Sequence, residues 1–327
     1  MVGLSSRKKL VIYFIVVYHA QQNVSAYFII GFSQVACARV FRKLMDRLKF
    51  EKFYLQGGDW GAVVTSHMAK LYPTRVLGIH LNMMPIPPFS SSITTALDII
   101  GTIFPKLVFS SEDHHNHNVF EKIFTMIVES GYMHIQGTKP DTVGTALNDS
   151  PIGLAAYILE KFSTWTNLEN RDHKDGGLTK KFSRDELLTI VMIYWLNGNI
   201  VSSQRFYREF FLDQRNKALQ KKFSRDELLT IVMIYWLNGN IVSSQRFYRE
   251  FFLDQRNKAL QKVYMAVPTA HAFGLNDYFD RTPPEISSVM CNLTRYTAIA
   301  DMGHFGALEM PHLLASDIFH FVTSLQK

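Results

Sequence analysis

Residues 53–64 read Phe-Tyr-Leu-Gln-Gly-Gly-Asp-Trp-Gly-Ala-Val-Val. Phe53 to Gln56 have the composition of a short buried strand, Gly57 to Gly61 turn the chain, and AVVTSHMAKLYP resumes as a helix ended by Pro73. The next stretch, VLGIHLN (residues 76–82), is rich in aliphatic residues and reads as a second strand. Upstream, ACARVFRKLMDRLKF is a helix expected to bury one face carrying Val40, Leu44, Met45 and Leu48. Strand, helix and strand in alternation imply a parallel sheet with helices on its faces, an α/β class.

Outward from this unit the grammar changes. The prolines of MMPIPPFSSS break regular structure, and residues from about Asp98 to Gln261 read as long helical stretches. Strands return only in VYMAVPT (residues 263–269) and TRYTAIA (residues 294–300), before a closing amphipathic helix in LLASDIFHFVTSLQ. A helical excursion between strands of one sheet is the outline of a core with a cap. The chain therefore divides into an apolar segment (1–30), a first half of the core (31–109), a helical cap (110–262) and a second half of the core (263–327).

Of the 327 residues, 41 occur twice: residues 180–220 recur letter for letter as residues 221–261. Such identity fits a recent duplication or an assembly error better than a working repeat, since repeat folds use several diverged units. The formal charge of +7 includes +3 from the second copy, so the underlying balance is mildly basic. Lys and Arg are scattered among acids in runs of three at most, which argues against nucleic acid as a partner. Cys37 and Cys291 are too few for a disulfide framework or a Cys-rich metal site. Arg7, Lys8 and Lys9 precede an apolar run from Leu10 to Tyr18, readable as a signal sequence, a short membrane anchor or a buried strand; nine residues fall short of the roughly 20 that a spanning helix needs.

The chemistry concentrates at three points. Asp59 stands at a sharp strand-to-helix turn, the nucleophile-elbow pattern with Asp where a lipase has Ser. Small flanking residues are needed because the turn brings backbone segments together, and a carboxylate at the helix N-terminus stays ionised and ready to attack an electrophilic carbon. The resulting ester needs a base-activated water, and His304, in DMGHFG after the last strand, is positioned to be that base. A carboxylate to orient the imidazole should follow the preceding strand, where Asp277 and Asp280 both lie. Asp277 is preferred, because Asp280 with Arg281 reads as a surface pair of little energetic weight.

GGDWG, YMHIQGTKPDTVGTALNDSPIGLAAYILEKFSTWTN, IVSSQRFYRE, VPTAHAF and GHFGALE together resemble the microsomal epoxide hydrolase family, including its arthropod juvenile-hormone branch, over roughly Gly31 to the C-terminus. The resemblance implies an α/β-hydrolase core with a helical cap, acting on a small lipophilic epoxide and water without metal or organic cofactor, at an endoplasmic reticulum or microsomal membrane. Carried over, Asp59 matches the nucleophile, His304 the base, Asp277 the acid, and Trp60 supplies a backbone oxyanion donor. Tyr132 matches one of two cap tyrosines that hydrogen-bond the epoxide oxygen; the other is Tyr207 or Tyr248, equivalent positions of the duplicated segment.

Departures from the family carry expectations of their own. No HGWP-type segment, the family's source of a second oxyanion donor, precedes the elbow, so the aspartyl ester is expected to accumulate. The early strands of the sheet are expected to be missing, leaving strand 53–56 exposed at an edge unless residues 10–18 replace a neighbour. Two rival readings are a haloalkane dehalogenase, which needs halide-binding Trp or Asn in the cap, and an inactive truncated relative.

Overall fold

The computed structural model describes residues 11–14, 34–86, 90–197, 200, 259–278 and 280–326. Five strands form one parallel sheet whose spatial order follows the chain: β1 (Val11–Phe14), β2 (Phe53–Gly57), β3 (Val76–Leu81), β4 (Met265–Gly274) and β5 (Cys291–Ile299). The apolar run near the start thus contributes a strand. Val11 to Phe14 pair with Tyr54 to Gly57, so the elbow strand has a neighbour on each side and the anticipated edge does not form at β2. All five β2 residues are buried, as a parallel strand covered on both faces requires. Among the described residues no helix is long and apolar enough to cross a membrane.

Helices α1 (Gln34–Arg47) and α2 (Trp60–Leu71) cover one face of the sheet. There Ala38, Met45, Ala62, Val64 and Met68 pack with Phe53, Leu55, Ile79 and Leu81. The face expected for α1 needs correction. Val35, Ala38 and Met45 are buried, whereas Val40, Leu44 and Leu48 are exposed. A four-residue spacing fits residues 40, 44 and 48 equally well, and hydrophobicity alone does not say which stripe meets the sheet.

The helical excursion comprises α3 (Ser92–Ile103), α4 (Pro105–Val108), α5 (Val119–Glu129), α6 (Gly131–Thr138), α7 (Pro140–Asp149), α8 (Pro151–Thr164) and α9 (Arg184–Asn197). Local sequence sets their starts: Ser91 and Thr94 form a reciprocal capping box, Asn118 caps α5, and Ser150 caps α8 ahead of Pro151. Leu154, Ile158 and Phe162 of α8 pack against Leu187, Val191 and Tyr194 of α9 in a separate apolar cluster. Helix α9 lies in the first copy of the duplicated segment; most of the second lies outside the described residues.

Strand β4 runs five residues beyond its expected end. Pro268, which lacks an N–H, sits where the β4–β5 register shifts, so the strand tolerates it. Three further helices follow: α10 (Pro284–Met290), α11 (Gly306–Glu309) and α12 (Pro311–Ser324). Leu314, Ile318, Phe321 and Val322 of α12 close the second face of the sheet over Tyr54, Ala270 and Ala272.

Candidate active site

The loops leaving the carboxyl ends of β2, β4 and β5 converge, where parallel α/β sheets collect ligands. At β2 the elbow is tight. Asp59 has φ 47° and ψ −128°, a strained backbone for a residue with a side chain. A Cβ on Gly57 would lie 2.4 Å from the Gly61 carbonyl oxygen, and one on Gly58 would strike Asn82. Asn82 braces the turn from β3, accepting from Gln56 Nε2 at 2.7 Å and donating its own N–H to the Gly57 carbonyl at 3.1 Å. Trp60 opens α2 directly after Asp59.

His304 faces two carboxylates. Its Nδ1 lies 3.3 Å from Asp277 Oδ2, and its Nε2 lies 3.8 Å from Asp59 Oδ2, too far for a hydrogen bond. Nε2 is buried and makes no hydrogen bond among the described residues. Burial opposes a charge on the ring, but Asp277 and Asp59 together outweigh it and push the imidazole up to about 10. A protonated ring is thus held between two carboxylates, and esterifying Asp59 would remove one of them, shifting the ring toward the neutral form a base requires.

The cap supplies a wall. The Trp165 ring stands edge-on to His304 at 4.5 Å, and Tyr132 on α6 stands edge-on to Trp165 at 5.7 Å. Lys161 Nζ is 5.4 Å from the centre of the Tyr132 ring. Tyr207 and Tyr248 lie outside the described residues, so neither is located relative to Asp59.

Residues 19–311 match a family characterised by the alpha/beta hydrolase fold. The chain belongs to that family. Epoxide hydrolase 1 of Sus scrofa is 41% identical over 299 residues, covering 91% of this chain and 56% of its own length. Juvenile hormone epoxide hydrolase 2 of Ctenocephalides felis is 39% identical over 302 residues, 89% of this chain and 56% of its own. The crystal structure of the juvenile hormone epoxide hydrolase from Bombyx mori superposes with a TM-score of 0.71 at 34% identity, covering 92% of this chain and 61% of that one. The chain spans little more than half the length of these curated relatives. The resemblance carried by the sequence motifs is borne out.

Within this α/β hydrolase, Asp280 corrects the sequence reading. It is not a surface partner of Arg281 but is buried, accepting from His271 Nε2 at 2.8 Å, Met84 N–H at 2.7 Å and the Thr282 hydroxyl at 3.1 Å. An acidic residue beside an arginine gives no sequence sign of burial; the histidine that claims it comes from inside β4. Sequence reasoning also missed Trp165 and Glu309. Glu309 accepts from the Gly303 and Phe305 N–H groups, which flank His304. Both residues sit in quoted motifs, KFSTWTN and GHFGALE, but nothing in their spacing marks them.

Proposed function

We propose that this chain is an epoxide hydrolase that opens small lipophilic epoxides to vicinal diols through an ester on Asp59. The observation that carries the reading is His304 held between Asp277 and Asp59 on the loops that leave the carboxyl ends of β2, β4 and β5. Asp59 attacks one epoxide carbon, the C–O bond breaks, and the oxygen takes a proton from a donor in the cap, for which Tyr132 and Tyr207 or Tyr248 are the candidates. Phenols suit this task because they stay protonated at neutral pH yet can donate to a strongly basic alkoxide. His304 then takes a proton from water, which adds to the ester carbonyl. The tetrahedral oxyanion is stabilised by the Trp60 N–H; its collapse breaks the bond to the substrate oxygen, which takes the proton from His304 and leaves as the diol, and the regenerated Asp59 carboxyl gives up its own proton, which restores the cap phenol.

The bond pattern gives the test. Water attacks the Asp59 carbonyl carbon, so in a single turnover in ¹⁸O-water the label enters the Asp59 carboxylate and not the diol. Label in the diol after one turnover, or no ester on Asp59 by peptide mass spectrometry, rejects the reading. Halide release from a bromoalkane without diol formation from an epoxide favours the dehalogenase.

The same reading includes association with an endoplasmic reticulum or microsomal membrane. Support comes from exposed apolar residues along α3 to α5, among them Ile103, Phe104, Leu107, Phe120 and Phe124. Flotation with phosphatidylcholine vesicles tests it, and failure to float rejects it.

A further inference from the structure

Three consecutive N–H groups hold the loop that carries His304. Gly303 donates to Glu309 Oε2 at 2.8 Å, His304 donates to the Trp165 carbonyl at 3.0 Å, and Phe305 donates to Glu309 Oε1 at 2.9 Å. The outer two therefore end on the two oxygens of one carboxylate, and the middle one ends on the cap. The loop has little freedom elsewhere. A Cβ on Gly303 would lie 2.3 Å from the Thr166 carbonyl oxygen, and the Phe305 ring stacks on Phe162 of α8 with centroids 4.3 Å apart.

We propose that Glu309 is a positioning residue for the general base, its carboxylate holding the backbone on both sides of His304 so that the ring stays between Asp277 and Asp59. This rests on the epoxide-hydrolase reading, in which the ring's task is ester hydrolysis. Of the two peptide planes that flank the His304 Cα, Glu309 holds the one that carries the Phe305 N–H and the Trp165 carbonyl holds the one that carries the His304 N–H, while Glu309 also ties the plane before them through Gly303; together they set the direction of the Cα–Cβ bond, on which the 3.3 Å contact between Nδ1 and Asp277 depends. A carboxylate suits the role because both its oxygens accept, and charge-assisted bonds from N–H are stronger than neutral ones. The charged and titratable groups that act on Glu309 are Asp277, from the loop after β4, and Lys181, from the cap. Burial first, and Asp277 in addition, push its carboxyl up to about 7 against the two N–H groups and Lys181. Lys181 Nζ itself donates to the Asp301 carbonyl at 2.6 Å, a further strap from cap to loop.

Glu309→Gln separates positioning from bulk. The amide matches the carboxylate in shape but offers one acceptor and one donor, so one of the two N–H groups would face an N–H. Rapid-quench kinetics with cis-stilbene oxide should show formation of the Asp59 ester within about threefold of the unsubstituted protein and its hydrolysis slowed at least about tenfold, so that ester accumulates. Equal loss in both steps, or no change in either, overturns the proposal. Should E309Q fail to fold, the same two rates are read in E309D, whose shorter arm reaches one N–H at most; the loss must again fall on hydrolysis alone. Should the unsubstituted protein form no ester, the epoxide reading fails and Glu309 is judged separately by proton NMR. The downfield Nδ1–H resonance of His304 must then broaden in E309Q, and an unchanged resonance overturns the proposal.

Discussion

Two aspartates three residues apart on the loop after β4 each face a histidine; both pairs are buried, but they differ in their distances and in what else surrounds them. Asp280 and His271 meet at 2.8 Å inside the sheet, with the Met84 N–H and the Thr282 hydroxyl also on the carboxylate. Asp277 and His304 meet at 3.3 Å, and the far nitrogen of His304 faces a third group, Asp59, across 3.8 Å. Burial works against the charge on Asp280, but His271 and the other donors more than offset it and hold the carboxyl below its ordinary range. Residue type does not separate the pairs. Each histidine keeps one ring nitrogen without a hydrogen bond among the described residues, Nδ1 of His271 and Nε2 of His304, but only that of His304 faces a second carboxylate, Asp59, where proton transfer has somewhere to go.

Substitutions can break this contrast, beginning with the largest effect. Asp59→Ala should lower diol formation about ten-thousand-fold or more, with no adduct in peptide mass spectra, because nothing remains to form the ester. His304→Gln should keep the first step and slow the second by about 10²- to 10⁴-fold, read as ester that builds and persists after rapid quenching. Asp280→Asn should act on the fold instead, costing about 3–5 kcal/mol in urea unfolding, since it removes one partner of a buried pair. Asp277→Asn should lose rate before stability; equal behaviour of the two Asn variants would erase the distinction.

The smallest effect is a slope. The His304 imidazole is raised from 6.5 to about 10 in the folded protein, so its contribution to stability is complete below pH 6.5 and is lost as pH rises through 10. Glu309, raised from 4.5 to about 7, loses its contribution earlier, between about pH 4.5 and 7. Urea midpoints should therefore fall less steeply from pH 7 to pH 10 in His304→Gln than in the unsubstituted protein.

What the sequence disclosed follows the same division. The elbow was legible because its geometry demands particular residues: two glycines where a Cβ has no room, and a helix starting at Trp60. The order Asp59, Asp277, His304 was legible because each follows a strand that could be read locally. Asp280 was not, since its burial depends on His271, in the part of β4 that the pattern did not extend to, and on Met84 nearly 200 residues earlier. The buried face of α1 failed for a related reason: two stripes of comparable hydrophobicity run along it, and only packing against the sheet selects between them. The run at residues 10–18 had three readings, and of it Val11 to Phe14 pair as a strand with Tyr54 to Gly57. Glu309 speaks only through backbone N–H groups, which leave no trace in side-chain chemistry.

The strand order has a consequence during synthesis. β3 ends at Leu81 and its other neighbour, β4, begins only at Met265. At translation speeds of about 5–20 residues per second, one edge of β3 waits roughly 10–40 seconds for its partner. Asp59 leaves the ribosome more than 200 residues ahead of Asp277 and His304, so a chain that stops short of residue 304 cannot hold all three. The 41 repeated residues lie inside that interval and lengthen it, extending the time during which an apolar strand edge must be shielded by something other than the finished sheet.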